Sequence, residues 1–169
     1  MEGTVFMPSL EGMKHVKSES GVTLTKPFLE VCKHILPVLE KFGSAMSIVK
    51  SDIGGNITRL ETKYASDPSK YEQLHSMVTV EVSAKIAKSS SSCTNGLLWL
   101  TRAMDFLVVL FHNLVAIKLA PERKKFMEII SGSGDINADI DKFCATFSPL
   151  LAANHKFLAS VGMDDLKAS

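Results

Sequence analysis

Asp52, Asn56 and Arg59 stand at i, i+4 and i+7 within SDIGGNITRL, so at about 100° per residue they share one face of a helix. The carboxylate accepts hydrogen bonds, the amide donates and accepts, and the guanidinium only donates. That set suits a ligand head rich in hydroxyls with an amide close by, and Gly54 and Gly55 would let such a ligand approach the backbone. Spacing alone does not separate a site of this kind from a solvated polar face, which such triplets more commonly form. Trp99, the only tryptophan, lies in LLWLTRAMDFL. Its indole can cover the less polar face of a sugar ring and supply one N–H donor. Equally, a lone tryptophan on an apolar helix is ordinary core. Arg102, one turn further on and close in angle, is a candidate second contact to the same head. Asp105 lies about 120° around the helix from Trp99, so Arg102 and Asp105 also read as an i, i+3 surface pair.

Other reactive residue types do not assemble into a reaction. Ser89 to Ser92, Asp105 and His112 are the types found in hydrolytic triads, but no nucleophile-elbow or metal-ligand spacing accompanies them. The serine run reads as a flexible loop. Cys32, Cys93 and Cys144 lie far apart without CxxC spacing. They read as free thiols in a reducing compartment, Cys32 and Cys144 as small core residues. His112 falls about 140° from Trp99 around the helix; it and His15, His34, His75 and His155 read as structural or solvent-facing. The chain is read as a non-enzyme with no cofactor or metal.

The elements that must position these residues are helical. TKPFLEVCKHILPVLEKF places Phe28, Val31, Cys32, Ile35, Leu39 and Phe42 at helical spacing, with Pro27 tolerated in the first turn and Pro37 expected to kink the helix. SAMSIVKSDIGGNITRLETKY forms the helix of the polar triplet, although each glycine costs it about 1 kcal/mol relative to alanine. Ser66-Asp67-Pro68 signals the start of a third helix. Val78 to Val82 alternates like a strand, yet Leu74, Met77, Val78, Val82 and Ile86 suit a helix, which is the reading adopted. A loop, SSSSCTN, caps the long helix carrying Trp99. Pro121 with Glu122 opens another helix that SGSG at 131–134 ends. Ile136, Ile140, Phe143 and Phe147 begin a last pattern that Pro149 breaks and that resumes through Leu151, Phe157, Leu158 and Val161.

A length of 169 residues fits one domain: a lightly structured lead over residues 1–21 with one short helix, then a helical domain over 22–169. The formal net charge of +1 points to no nucleic-acid partner. The start of the chain lacks the pattern of a secretory signal. The apolar stretch from Gly96 to Ile117 carries Arg102 and Asp105 in its middle, which favours a buried central helix over a bilayer span.

Taken together, DxxGNIxRL, a serine-rich loop and then GLLWLTRAMDFL resemble the glycolipid transfer protein family. The resemblance runs through Met1 to Val115 and resumes at about Lys118 to Ser169. It implies an all-α two-layer helical sandwich in the cytosol that binds sugar-bearing ceramides and moves them between membranes through transient surface contact. It assigns headgroup binding to Asp52, Asn56, Arg59 and Trp99. A cationic residue replaces the tryptophan in phosphate-preferring relatives, so Trp99 favours a sugar over ceramide-1-phosphate. Leu97, Leu98, Phe106, Val109, Leu110, Phe143 and Phe147 are candidate acyl-chain lining, each also readable as core.

The family's further motif, a histidine followed two places on by an aromatic, has no match here. The chain passes through Val115-Ala116-Ile117-Lys118 straight into a segment resembling a later part of the family. About thirty residues, or ~40 Å of helix at 1.5 Å per residue, are expected to be missing near 117–118. That leaves the sandwich short of roughly one to two helices. Uncovering several hundred Å² of apolar surface, at about 25 cal/mol per Å², is comparable with a domain's whole stability. Transfer is therefore expected to be impaired. The alternatives are a non-transferring lipid sensor or regulatory scaffold using an exposed apolar groove and, second, transfer of ceramide-1-phosphate; the uncovered surface also offers a site for a homo-oligomer to close.

Overall fold

The computed structural model describes residues 3–116 and 135–166. Six α-helices occur among them: α1 Met7–Met13, α2 Thr25–Glu40, α3 Ser47–Ser66, α4 Ser76–Ser83, α5 Cys93–Ala116 and α6 Ile136–Ser160. A 3₁₀ turn, Gly43–Met46, leads into α3. The helix opened by Pro121, the stop at 131–134 and the junction at 117–118 lie outside the described residues.

The expected helical spacing in α2 is the buried stripe itself: Phe28, Val31, Cys32, Ile35 and Leu39 are each within 1% of full burial. Neighbouring helices meet in sequence around the core, α1 on α2, α2 on α3, α3 on α5, α5 on α6, and α6 back on α1. Phe28 and Phe147, both fully buried, stack at 6.0 Å between α2 and α6. The lead does not stand apart from this core. Phe6, just before α1, is fully buried, with its ring 5.2 Å from that of Phe111 and 5.4 Å from that of Phe143.

Three local expectations need correction. Ser66-Asp67-Pro68 ends α3 and starts no long helix. One turn forms, with Tyr71 N–H donating to the Asp67 carbonyl at 3.1 Å, and then the chain straightens. The cause is distant in sequence: Thr25 N–H donates to the Glu72 carbonyl, Leu74 N–H donates to the Thr23 carbonyl, and the Thr25 hydroxyl donates to the Tyr71 carbonyl. These bonds capture backbone groups that a helix would need. Helix α4 therefore starts only at Ser76, and it ends at Ser83 before Lys85 at φ +62°, leaving Ile86 53% exposed. Finally, Pro149 does not interrupt α6, which runs unbroken to Ser160. Pro149 lies on the exposed face, where the carbonyl it cannot satisfy meets solvent. Burial of Phe143, Phe147, Leu150, Leu151 and Leu158 on either side outweighs the ~3 kcal/mol that an internal proline costs.

Helix α5 is long and apolar enough to cross a membrane by length and composition. Here it is a core helix, with Leu97, Leu98, Leu100, Met104, Leu107 and Phe111 buried against its neighbours.

Candidate functional site

The N-terminus of α5 is built with unusual care. Its cap is Ser92, whose hydroxyl accepts from Asn95 N–H at 2.9 Å. Glu81, 5% exposed on α4, accepts from Cys93 N–H at 2.9 Å and from both Thr94 N–H and the Thr94 hydroxyl at 2.7 Å. A carboxylate at the positive end of a helix, bonded to free N–H groups, is favourable both as a cap and against the helix dipole. The same charge, after the larger effect of burial, helps push the Cys93 thiol up from its ordinary value. Burial likewise pushes the Cys32 thiol up, and all three cysteines are free and buried.

Helix α3 crosses close to this end of α5. A Cβ built on Gly96 would meet the Arg59 Cδ at 3.0 Å and the Asn56 Oδ1 at 3.6 Å, so hydrogen at that position is what admits the polar face of α3. Arg59 uses the approach: its Nη1 donates to the Ser92 carbonyl at 3.0 Å and to the Ser90 carbonyl at 3.2 Å. This bracing ties the serine loop to α3.

Between α3 and α5 lies a cleft of about 730 Å³. Asp52, Asn56 and Arg59 line it from α3; Trp99, Arg102 and Phe106 line it from α5. The structure thus brings together the polar triplet, the indole and the candidate second contact. Gly55 also borders the cleft, and a Cβ there would meet nothing within 4 Å. Packing does not require that glycine, so its backbone is left bare toward the cavity.

Arg102 is already engaged. Its Nη1 donates to the Leu166 carbonyl at 2.9 Å and its Nη2 to the Asp164 carbonyl at 2.7 Å, while its guanidinium carbon lies 4.8 Å from the centre of the Trp99 ring. Asp105 faces elsewhere, as its angle predicts, and its carboxylate meets His155 Nε2 rather than Arg102.

The candidate lining residues divide into two groups. Phe106 and Val109 are 52% and 58% exposed, Phe106 at the cleft and Val109 on a neighbouring hollow with His112, Asp141 and Cys144. Leu110 is half-buried. Leu97, Leu98, Phe143 and Phe147 are packed in the closed core. Residues not anticipated from the sequence are Ser51, Ser90 and Asn95 in the cleft wall and Glu81 at the start of α5. Asn95 had a readable signal, since it stands four residues before Trp99 on the same helical face.

A helical sandwich opening between α3 and α5 onto a polar triplet and an indole defines a class, and the comparisons agree with it. The pattern of the glycolipid transfer protein (GLTP) family matches residues 23–118, and the chain belongs to that family. It is 61% identical to glycolipid transfer protein 1 of Arabidopsis thaliana, with all of both chains aligned. That alignment spans 202 positions against the 169 residues here, a difference of 33. Among solved structures, the GLTP-fold of FAPP2, described as selecting simple glycosphingolipids, superposes with a TM-score of 0.80 at 19% identity, covering 98% of this chain and 100% of that one. The apo form of mouse ceramide-1-phosphate transfer protein superposes with a TM-score of 0.83 at 17% identity, covering 97% and 99%. At those identities the superpositions establish the fold alone.

Proposed function

We propose that the chain binds sugar-bearing ceramides and carries them between membranes through the cytosol, making and breaking no bond. The observation that carries this reading is the meeting of Asp52, Asn56 and Arg59 with Trp99 across one cleft. A hexose offers both hydroxyls for the polar triplet and a less polar ring face for the indole. A phosphate head fits less well. The Asp52 carboxylate at the cleft would repel it. The name of the Arabidopsis relative supports a glycolipid ligand.

Phe106 would receive the start of the ceramide at the cleft mouth. Chains lodged deeper, among Leu97, Leu98, Phe143 and Phe147, would require α5 and α6 to part, because these four side chains are packed together in the core. We place the missing residues after Ile117; the end of the family match at residue 118 supports that position. Their loss leaves apolar surface at Phe106 and Val109 and is expected to slow transfer more than binding. The same exposure favours a second reading, in which the uncovered face of α5 pairs with another copy or a partner helix and the chain acts as a sensor or scaffold.

Glucosylceramide exchange between vesicles, measured beside the Arabidopsis relative at equal folded concentration, tests both readings. Native mass spectrometry is expected to find a 1:1 glucosylceramide complex, with transfer at least tenfold slower than for the relative. Equal rates would contradict the impairment. A homodimer that takes up no glucosylceramide would replace the carrier reading with the second one.

A further inference from the structure

The polypeptide after α6 doubles back onto α5. Gly162, at φ +72°, turns the chain, and Met163 N–H donates to the Leu158 carbonyl at 2.8 Å, a helix-ending arrangement that needs the left-handed residue. Residues 161–166 then lie over α5, held by two side chains. Arg102 binds the carbonyls of Asp164 and Leu166. His155 binds two carboxylates at once, with Nδ1 2.6 Å from Asp164 Oδ1 and Nε2 2.5 Å from Asp105 Oδ2. We propose that Arg102 and His155 form a latch that fixes residues 161–166 against α5 and, through the stacking of Arg102 on Trp99, positions the indole for the ligand head. The consequence for affinity rests on the sugar-site reading above; the positioning of the indole does not.

Three features connect the latch to the site. Arg102 stacks on the indole, its guanidinium carbon 4.8 Å from the ring centre, and both side chains border the cleft. Its planar fork holds two carbonyls while stacked, a combination a lysine cannot reproduce. Trp99, Arg102 and Asp105 succeed one another at three-residue steps along α5, so Arg102 and the carboxylate that holds His155 both stand on the helix that carries the indole.

The latch also depends on charge. An imidazolium donates from both nitrogens and satisfies both carboxylates, whereas a neutral ring donates from only one and turns a lone pair toward the other. Burial alone would lower the His155 pKa, but the hydrogen bonds to Asp164 and Asp105, with their charges, outweigh it and hold the value above the ordinary 6.5. The charged groups facing the ring are Asp105 on α5 and Asp164 in the returning segment, with Arg102 permanently positive beside the latter. A folded-state value raised above the unfolded one gives stabilisation that is complete below the unfolded pKa and is lost as pH rises through the folded one. The latch is therefore closed in mild acid and loosens as pH rises through the raised His155 value.

Trp99 is the only tryptophan, so acrylamide quenching of lipid-free protein reads the indole directly. Quenching should rise between pH 6 and pH 9 in the wild type. Arg102→Leu and His155→Leu should raise it at least twofold at pH 6, abolish its pH dependence in the histidine variant, and weaken glucosylceramide binding fivefold or more with helical content unchanged. Arg102→Lys should recover only part of the loss. Asp105→Asn keeps the side-chain volume, so it decides the matter if either leucine variant fails to fold: it should flatten the pH profile. Quenching that is independent of pH in the wild type, and unchanged by Asp105→Asn, would overturn the latch. Wild-type protein that shows the expected quenching yet binds no glucosylceramide would instead overturn the sugar assignment and leave the latch standing.

Discussion

Asp52→Val is expected to weaken glucosylceramide binding about 10- to 150-fold, the range that corresponds to losing hydrogen bonds to a charged acceptor, with no change in helical content. Asp52 sits on the exposed face of α3 at the cleft. Among the described residues its side chain has no salt bridge. Removing it should thus alter folding stability by no more than ~0.5 kcal/mol, as for other surface positions. A loss of binding would then report the ligand contact itself. Asp52→Asn keeps the shape and one acceptor oxygen while discarding the charge, so it should fall between wild type and valine. Lipid titration followed by Trp99 emission, beside far-UV circular dichroism, measures both quantities. Unaltered affinity in the valine variant would remove Asp52 from the site.

The largest effect on stability is expected at Glu81. Its carboxylate is buried and satisfies two backbone N–H groups and one hydroxyl at the start of α5. Glu81→Ala leaves those donors without partners in a water-poor pocket, at a cost of about 3–5 kcal/mol. For a chain of this size that lowers the Tm by roughly 10 °C. Glu81→Gln retains one acceptor oxygen but turns its NH₂ toward a neighbouring donor, and should lose about half as much. Since α5 carries Trp99, Arg102 and Phe106, fraying of its first turn should also disorder one wall of the cleft. Thermal unfolding by circular dichroism checks the order wild type, glutamine, alanine; a Tm for Glu81→Ala within 2 °C of wild type would contradict it.

How far the sequence could be read depended on whether a residue's partner was near in the chain. Phe28, Val31, Cys32, Ile35 and Leu39 announced α2 because one face of one helix meets the core, and that periodicity is local. The cleft residues were legible for the same reason: Asp52, Asn56 and Arg59 recur within one helix, and Trp99 and Arg102 within another. Where the partner was distant, reading stopped. Asp67-Pro68 carries every local mark of a helix start, yet Thr23 and Thr25, more than forty residues earlier, take up the backbone of residues 71–74. Glu81 left only a faint sign, one acid inside VTVEV, since the N-terminus it caps lies beyond a loop. The second engagement of Arg102 was hidden, because nothing near it in sequence revealed the carbonyls of Asp164 and Leu166.

One contact decides the central claim. With glucosylceramide bound to the full chain, nuclear Overhauser effects between the Trp99 indole protons and the ring protons of the sugar report directly whether the head lies in the cleft. Cross-peaks from the indole to the hexose, joined by shifts at the Asn56 side-chain amide, are the predicted result. A saturated complex whose sugar protons show no contact with Trp99 would contradict it.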